Sequence, residues 1–126
     1  MRILLVEDTP SLAAEIVDIL RMEDFDVSIA KNGVDALGQL RRRLANIIIS
    51  DLFMPEMDGF RLITEVKKDG SLKHIPIVIL SARTTIDAIE RVKELGADLF
   101  IAKPCDSKYL VSSIRQILQR NNNNND

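Results

Sequence analysis

Five short apolar runs, each the length of a strand, recur along the chain and are separated by longer segments of helical spacing. The runs are Ile3 to Val6, Val27 to Ala30, Ile47 to Ser50, Ile77 to Leu80 and Leu99 to Ala102. In the intervening and final segments, apolar residues return every three or four positions, as in Leu12, Ile16, Ile19 and Leu20, then Leu37, Leu40 and Leu44, and last Leu110, Ile114, Ile117 and Leu118. This alternation is the pattern of an α/β domain: a doubly wound parallel sheet with right-handed crossovers and helices on both faces. Unbroken runs such as Ile47-Ile48-Ile49 suit strands covered on both sides.

Local punctuation fits the same division. Thr9-Pro10 reads as an N-cap followed by proline at the first helical position, and Asn32-Gly33 sits where a second helix begins. Asn-Gly also marks hairpins, but the residues after it repeat with period 3.6 rather than 2. Gly96 is placed to end the fourth helix, and Pro76 restricts the approach to the fourth strand.

The 126 residues have room for one domain. Hydrophobic residues at 46% and charged residues at 29% match a folded globular protein rather than a disordered one. A net charge of −2 argues against direct nucleic-acid binding by this domain. The one basic run, Arg41-Arg42-Arg43, falls near a predicted helix end, where cations suit the dipole, and reads as a solvated face. Cys105 is the only cysteine, which excludes an intrachain disulfide and a thiolate metal site and fits a reducing, cytoplasmic setting. There is neither a long apolar span nor a secretory leader pattern, so no membrane association is expected. His74, the only histidine, reads as a solvated loop residue, and Cys105 as structural or incidental. The polar run Asn121 to Asp126 is expected to be a disordered tail or the start of a linker after a domain spanning residues 1–120.

In open parallel sheets, ligands bind beyond the carboxyl ends of the strands. Here those ends are followed by Glu7-Asp8, Asp51, Ser81 and Lys103-Pro104. Each taken singly has an ordinary explanation as a turn, a cap or a surface charge. Three carboxylates converging on one edge, however, repel one another unless a positive group sits among them. An all-oxygen set without histidine or cysteine suits a hard cation, and Mg²⁺ commonly combines one or two carboxylates with waters and phosphate oxygens. Lys103 then serves as a point charge for phosphate and Ser81 as a hydroxyl donor.

With Glu7-Asp8, Asp51, Met54-Pro55, Met57-Asp58-Gly59, Ser81-Ala82 and Lys103-Pro104 in this order and spacing, the chain closely resembles the receiver domains of two-component response regulators over residues 1 to about 120. The resemblance implies a flavodoxin-like strand order 2-1-3-4-5, with Asp51 as the phosphoacceptor. It implies that Mg²⁺ is held by Asp8, Asp51 and the backbone carbonyl of Phe53, with Glu7 acting mostly through water. Ser81 and Lys103 would contact the phosphoryl oxygens, and the Lys103-Pro104 bond would be cis. Ser81 and Phe100 would form the switch, although a tyrosine is commoner at the second position. Phe53, Ala82 and Arg83 would flank the phosphoryl group. The face of the fourth helix, fifth strand and fifth helix, including Ile86, Ile89, Val92, Phe100 and Tyr109, would carry the signal.

The partners implied are a sensor histidine kinase or a histidine phosphotransfer protein upstream, an effector domain or protein downstream, and a second copy on phosphorylation. Catalysis would be limited to the chain's own phosphorylation and slow autodephosphorylation. Two other readings stay open: an aspartyl-phosphate phosphotransferase, which would need a substrate-binding cap, and a receiver-like interaction module that is never phosphorylated. The chain would be either a stand-alone receiver or the front part of a longer protein.

Overall fold

The computed structural model describes residues 1–124. Its elements alternate without exception: β1 (Arg2–Val6), α1 (Pro10–Met22), β2 (Asp26–Ala30), α2 (Gly33–Arg42), β3 (Ile47–Ser50), α3 (Gly59–Lys68), β4 (Ile77–Ser81), α4 (Ile86–Leu95), β5 (Leu99–Ala102) and α5 (Ser107–Asn124). All strand pairings are parallel, in the order β2-β1-β3-β4-β5. Strand boundaries fall within one residue of the apolar runs.

The three central strands are buried along their whole length, so alternate residues serve opposite faces. Leu4, Val6, Ile48, Ile77 and Ile79 pack with residues of α2, α3 and α4. Ile3, Leu5, Ile47, Ile49, Val78 and Leu80 pack with α1 and α5. Burying each of these side chains stabilises the fold by roughly 1.5–3 kcal/mol. β2 is an edge strand, and side chains answer its free carbonyls: Arg21 Nη2 donates to Val27 O at 3.2 Å and Gln39 Nε2 to Ile29 O at 2.8 Å. Such cover keeps an edge from pairing with another chain.

Asn32 caps α2 by accepting from Asp35 N–H at 2.8 Å, and Gly96 ends α4 at φ +109°, a left-handed conformation that favours glycine. Thr9 stands at the N-cap of α1 without a side-chain bond, leaving Pro10 to set the first turn. Arg41 and Arg42 lie in the last turn of α2 and Arg43 follows as its C-cap, paired with Asp26 at 3.3 Å.

One expectation is corrected. The last helix does not stop before the asparagine run but continues to Asn124. Asparagine is a modest helix former rather than a breaker, and no glycine or proline interrupts the segment. Positions 125–126 of the expected tail lie outside the described residues. On the face that the resemblance assigns to signalling, Val92 serves the core and is wholly buried, whereas Ile86 is 73% exposed and Tyr109 51% exposed.

Candidate functional site

The sheet order reverses beside β1, because the chain passes from β1 to β2 on one side and returns as β3 on the other. The crevice at the carboxyl ends of β1 and β3 is therefore bordered by Glu7-Asp8 and by Asp51. Backbone bonds hold these residues in register beyond the strands: Glu7 N–H donates to Ala30 O at 2.9 Å and Asp51 N–H to Val6 O at 3.1 Å. Lys103 is fixed in the same way, its N–H donating to Ser81 O at 2.9 Å, and the following Lys103-Pro104 bond is cis.

Side chains from β1, β3 and β5 then meet. Lys103 Nζ donates to Glu7 Oε2 at 2.9 Å and to Asp51 Oδ2 at 3.3 Å. All three are largely withdrawn from solvent, with side-chain exposures of 14% for Lys103, 2% for Glu7 and 16% for Asp51. Asp51 Oδ1 accepts the Leu52 N–H at 2.7 Å, which fixes the plane of its carboxylate. Both Glu7 oxygens are engaged, since Oε1 accepts from Thr9 N–H at 3.3 Å. Asp8 is exposed.

Glu7, Asp8 and Asp51 each offer one oxygen, and these oxygens lie within 4.8 Å of one another. Three carboxylates against the one ammonium of Lys103 leave two negative charges in a confined space. The donor set and its charge thus fit a hard divalent cation such as Mg²⁺. The backbone carbonyl of Phe53 accepts no backbone hydrogen bond among the described residues.

The loop after β3 is shaped by its own residues. Gly59 N–H donates to Leu52 O at 2.7 Å. A Cβ at position 59 would press on the Asp51 carbonyl oxygen and lie 2.9 Å from Leu52 Cα, so only glycine lets α3 start this close to the end of β3. Asp58 caps α3 through the Arg61 N–H at 2.9 Å, and Glu56 turns the chain at φ 67°. Gly33 N–H donates to Met57 O at 3.2 Å, tying this loop to the start of α2. In the Met57-Asp58-Gly59 motif, Met57 thus ties the loop to α2, Asp58 caps α3 and Gly59 permits the close approach.

Ser81 is buried at the end of β4, and its Oγ accepts the Arg83 N–H at 3.1 Å. Ala82 and Arg83 are exposed in the connection to α4. Phe100 is half-buried; it pairs in register with Ile79, two residues before Ser81, and packs on the α2-α3-α4 side of the sheet. Phe53 is 44% exposed two residues beyond Asp51, with the Arg83 guanidinium 4.6 Å from its ring centroid. The sequence placed both residues beside the site but gave no sign that they stack. His74 is an exposed loop residue away from the cluster. Cys105 lines an apolar groove with Leu12, Ile16, Ile19 and Leu110, and burial, followed by nearby Asp106, raises its thiol pKa above the ordinary range.

Comparison with known proteins agrees with this arrangement. A family model described as the response regulator receiver domain matches residues 3–115. The DNA-binding response regulator MtrA of Mycolicibacterium smegmatis is 37% identical over 95% of this chain, which aligns with 51% of that protein. Histidine kinase P4 of Formosa agariphila is 38% identical over 93% of this chain and 8% of its own length. The chain spans about half the length of the curated regulators it matches. Among solved structures, the signal receiver domain of a signal transduction histidine kinase from Syntrophus aciditrophicus is similar with a TM-score of 0.88 and 36% identity, covering 94% of this chain and 89% of the other. The strand-end acids and lysine therefore stand on a fold whose matched relatives act in two-component signalling, and the chain belongs to the response regulator receiver domain family.

Proposed function

We propose that Asp51 accepts a phosphoryl group from a phosphohistidine on a sensor kinase or phosphotransfer protein, or from a small donor such as acetyl phosphate. The observation that carries this reading is the Lys103 ammonium shared between Glu7 at 2.9 Å and Asp51 at 3.3 Å. It holds a cation beside a carboxylate whose plane is already fixed. In the transfer, an Asp51 oxygen forms a bond to phosphorus as the bond from phosphorus to the donor nitrogen breaks, and the imidazole leaves and takes up a proton.

Phosphoryl transfer depends mainly on positioning and charge neutralisation. Lys103 neutralises charge at the acceptor and follows the transferred oxygens, while the buried Ser81 hydroxyl donates to one of them. Asp8, Asp51 and the Phe53 carbonyl would hold Mg²⁺, with Glu7 reaching it through water. When bound, the ion would supply positive charge for the carboxylates and phosphoryl oxygens. Ser81 and the half-buried Phe100 form the switch, and the exposed Ile86 and Tyr109 lie on the face of α4, β5 and α5 that presents the result to an effector or a second copy. Catalysis is confined to this self-modification and its slow reversal. A phosphohistidine donor would be met in the cytoplasm; among the described residues no helix is long and apolar enough to cross a membrane.

Incubation with acetyl phosphate and Mg²⁺, followed by intact-mass measurement, tests the reading. The parent chain should gain one phosphoryl group and Asp51→Asn none. Retained labelling of Asp51→Asn would sink the assignment.

A further inference from the structure

Beside the acidic cluster, three ring contacts line up end to end. The Arg83 guanidinium lies 4.6 Å from the Phe53 centroid. The Phe53 and Phe60 rings meet edge to face, with centroids 6.0 Å apart and planes at 79°. The Arg91 guanidinium lies 4.1 Å from the Phe60 centroid. Four different parts of the chain supply these side chains: the β4-α4 connection, the β3-α3 connection, α3 and α4.

The order of burial shows where the stack leads. Phe60 is 7% exposed inside the α3-α4 packing, whereas Phe53 is 44% exposed at the rim of the site. Neither guanidinium makes an ion pair among the described residues, so the ring faces are their recorded partners. The outer end is joined to the site twice. Arg83 N–H donates to Ser81 Oγ at 3.1 Å, and Phe53 follows Asp51 by two residues. Any movement of Ser81 toward an oxygen on Asp51 therefore pulls on the residue that clamps Phe53. At the inner end, Phe60 of α3 meets Arg91 of α4.

We infer that Arg91 is a positioning residue for the phosphoacceptor site. By holding Phe60 from the α4 side, it keeps Phe53 pressed between Phe60 and Arg83 and closes that rim to water. The position of α4 then sets how long the phosphoryl group survives. This rests on the proposed phosphorylation of Asp51. The protected reaction is hydrolysis: a water oxygen bonds to phosphorus, the bond to the Asp51 oxygen breaks, and phosphate and a proton are released as the carboxylate is restored. A partner that engages Arg91 through an acidic group would draw the guanidinium off the Phe60 ring and so shorten the lifetime at Asp51.

The test compares the parent with Arg91→Ala, Arg91→Gln, Arg91→Lys, Phe53→Leu and the Phe53→Leu/Arg91→Ala double variant. Each is phosphorylated with acetyl phosphate and Mg²⁺, freed of donor, and followed by intact mass as the label is lost. Loss of one cation–aromatic contact should speed dephosphorylation about two- to five-fold in Arg91→Ala and Arg91→Gln. Arg91→Lys should restore the parent rate, and Arg91→Ala should add nothing in the Phe53→Leu background. A labelled parent whose rate is matched or exceeded in stability by Arg91→Ala, or an equal acceleration with and without Phe53, overturns the inference alone. A parent that takes no label overturns the phosphorylation reading and this inference with it.

Discussion

The two ends of the sheet each hold a cation withdrawn from solvent, and they use it in opposite ways. At the amino end, Arg2 is 8% exposed and donates to neutral acceptors: Arg43 O at 2.6 Å, Leu44 O at 3.1 Å, and Ser28 Oγ at 3.2 and 3.4 Å. Its backbone N–H bonds Asn46 Oδ1 at 2.7 Å. These contacts brace β1 against β2 and the α2-β3 connection, and burial, with nearby Arg43, lowers the guanidinium pKa from its ordinary value. At the carboxyl end, Lys103 Nζ faces two carboxylates and, among the described residues, no neutral acceptor. A guanidinium fork fixed on carbonyls closes a joint, whereas a flexible ammonium shared between acids can follow a charge that changes. The same kind of buried cation braces the fold at one end and, in the proposed reaction, meets the phosphoryl group at the other, because of what surrounds it.

Removing Lys103 should have the largest effect. Lys103→Met leaves Asp51 and the acids in place but deletes the cation proposed to meet the transferred oxygens, so the initial rate of acetyl-phosphate labelling should fall about 10²–10³-fold, the scale of losing one preorganised charge-stabilising group. Mg²⁺ binding, followed by calorimetry, should be no weaker, since a competing positive charge has gone. Labelling at the parent rate would erase the distinction between the two ends.

Arg2→Met is the converse experiment. The methionine stem occupies much of the arginine path, but two carbonyls and a hydroxyl lose their donor, which should lower stability in urea by about 1–3 kcal/mol. The labelling rate per folded molecule should stay at the parent value. If labelling fell with stability, the amino end would not be a separate brace.

Arg2 also shows what the sequence concealed. The strands were legible because burial on both faces writes them as continuous apolar runs, and the acid cluster was legible because parallel topology gathers strand ends at one edge. Arg2 carried no such sign: a charged residue before an apolar run reads as solvent-facing, and its carbonyl acceptors lie 41 and 42 positions away in the chain. The aromatic stack was hidden for a related reason. Phe60 reads as an ordinary core residue of α3 and Arg91 as an exposed helical charge, and only the packing of α3 against α4 brings them within 4.1 Å. The end of α5 was misjudged because low complexity indicates composition, not conformation.

The smallest expected effect tests whether the Lys103 charge is already engaged. Cys105 stands two residues beyond Lys103, and an unopposed ammonium there would favour the thiolate. Instead its thiol pKa is raised, first by burial and then by Asp106, with Lys103 only a minor opposing influence. A raised thiol pKa means less thiolate at any given pH, so alkylation by iodoacetamide should rise at higher pH in the folded chain than in the urea-unfolded chain. In Lys103→Met the folded profile should move slightly further toward alkaline pH, because the minor opposing charge is gone. A folded profile lying on the acid side of the unfolded one would mean that Lys103 presents its charge to Cys105, and the ammonium would then be less committed to Glu7 and Asp51 than their 2.9 Å and 3.3 Å contacts indicate.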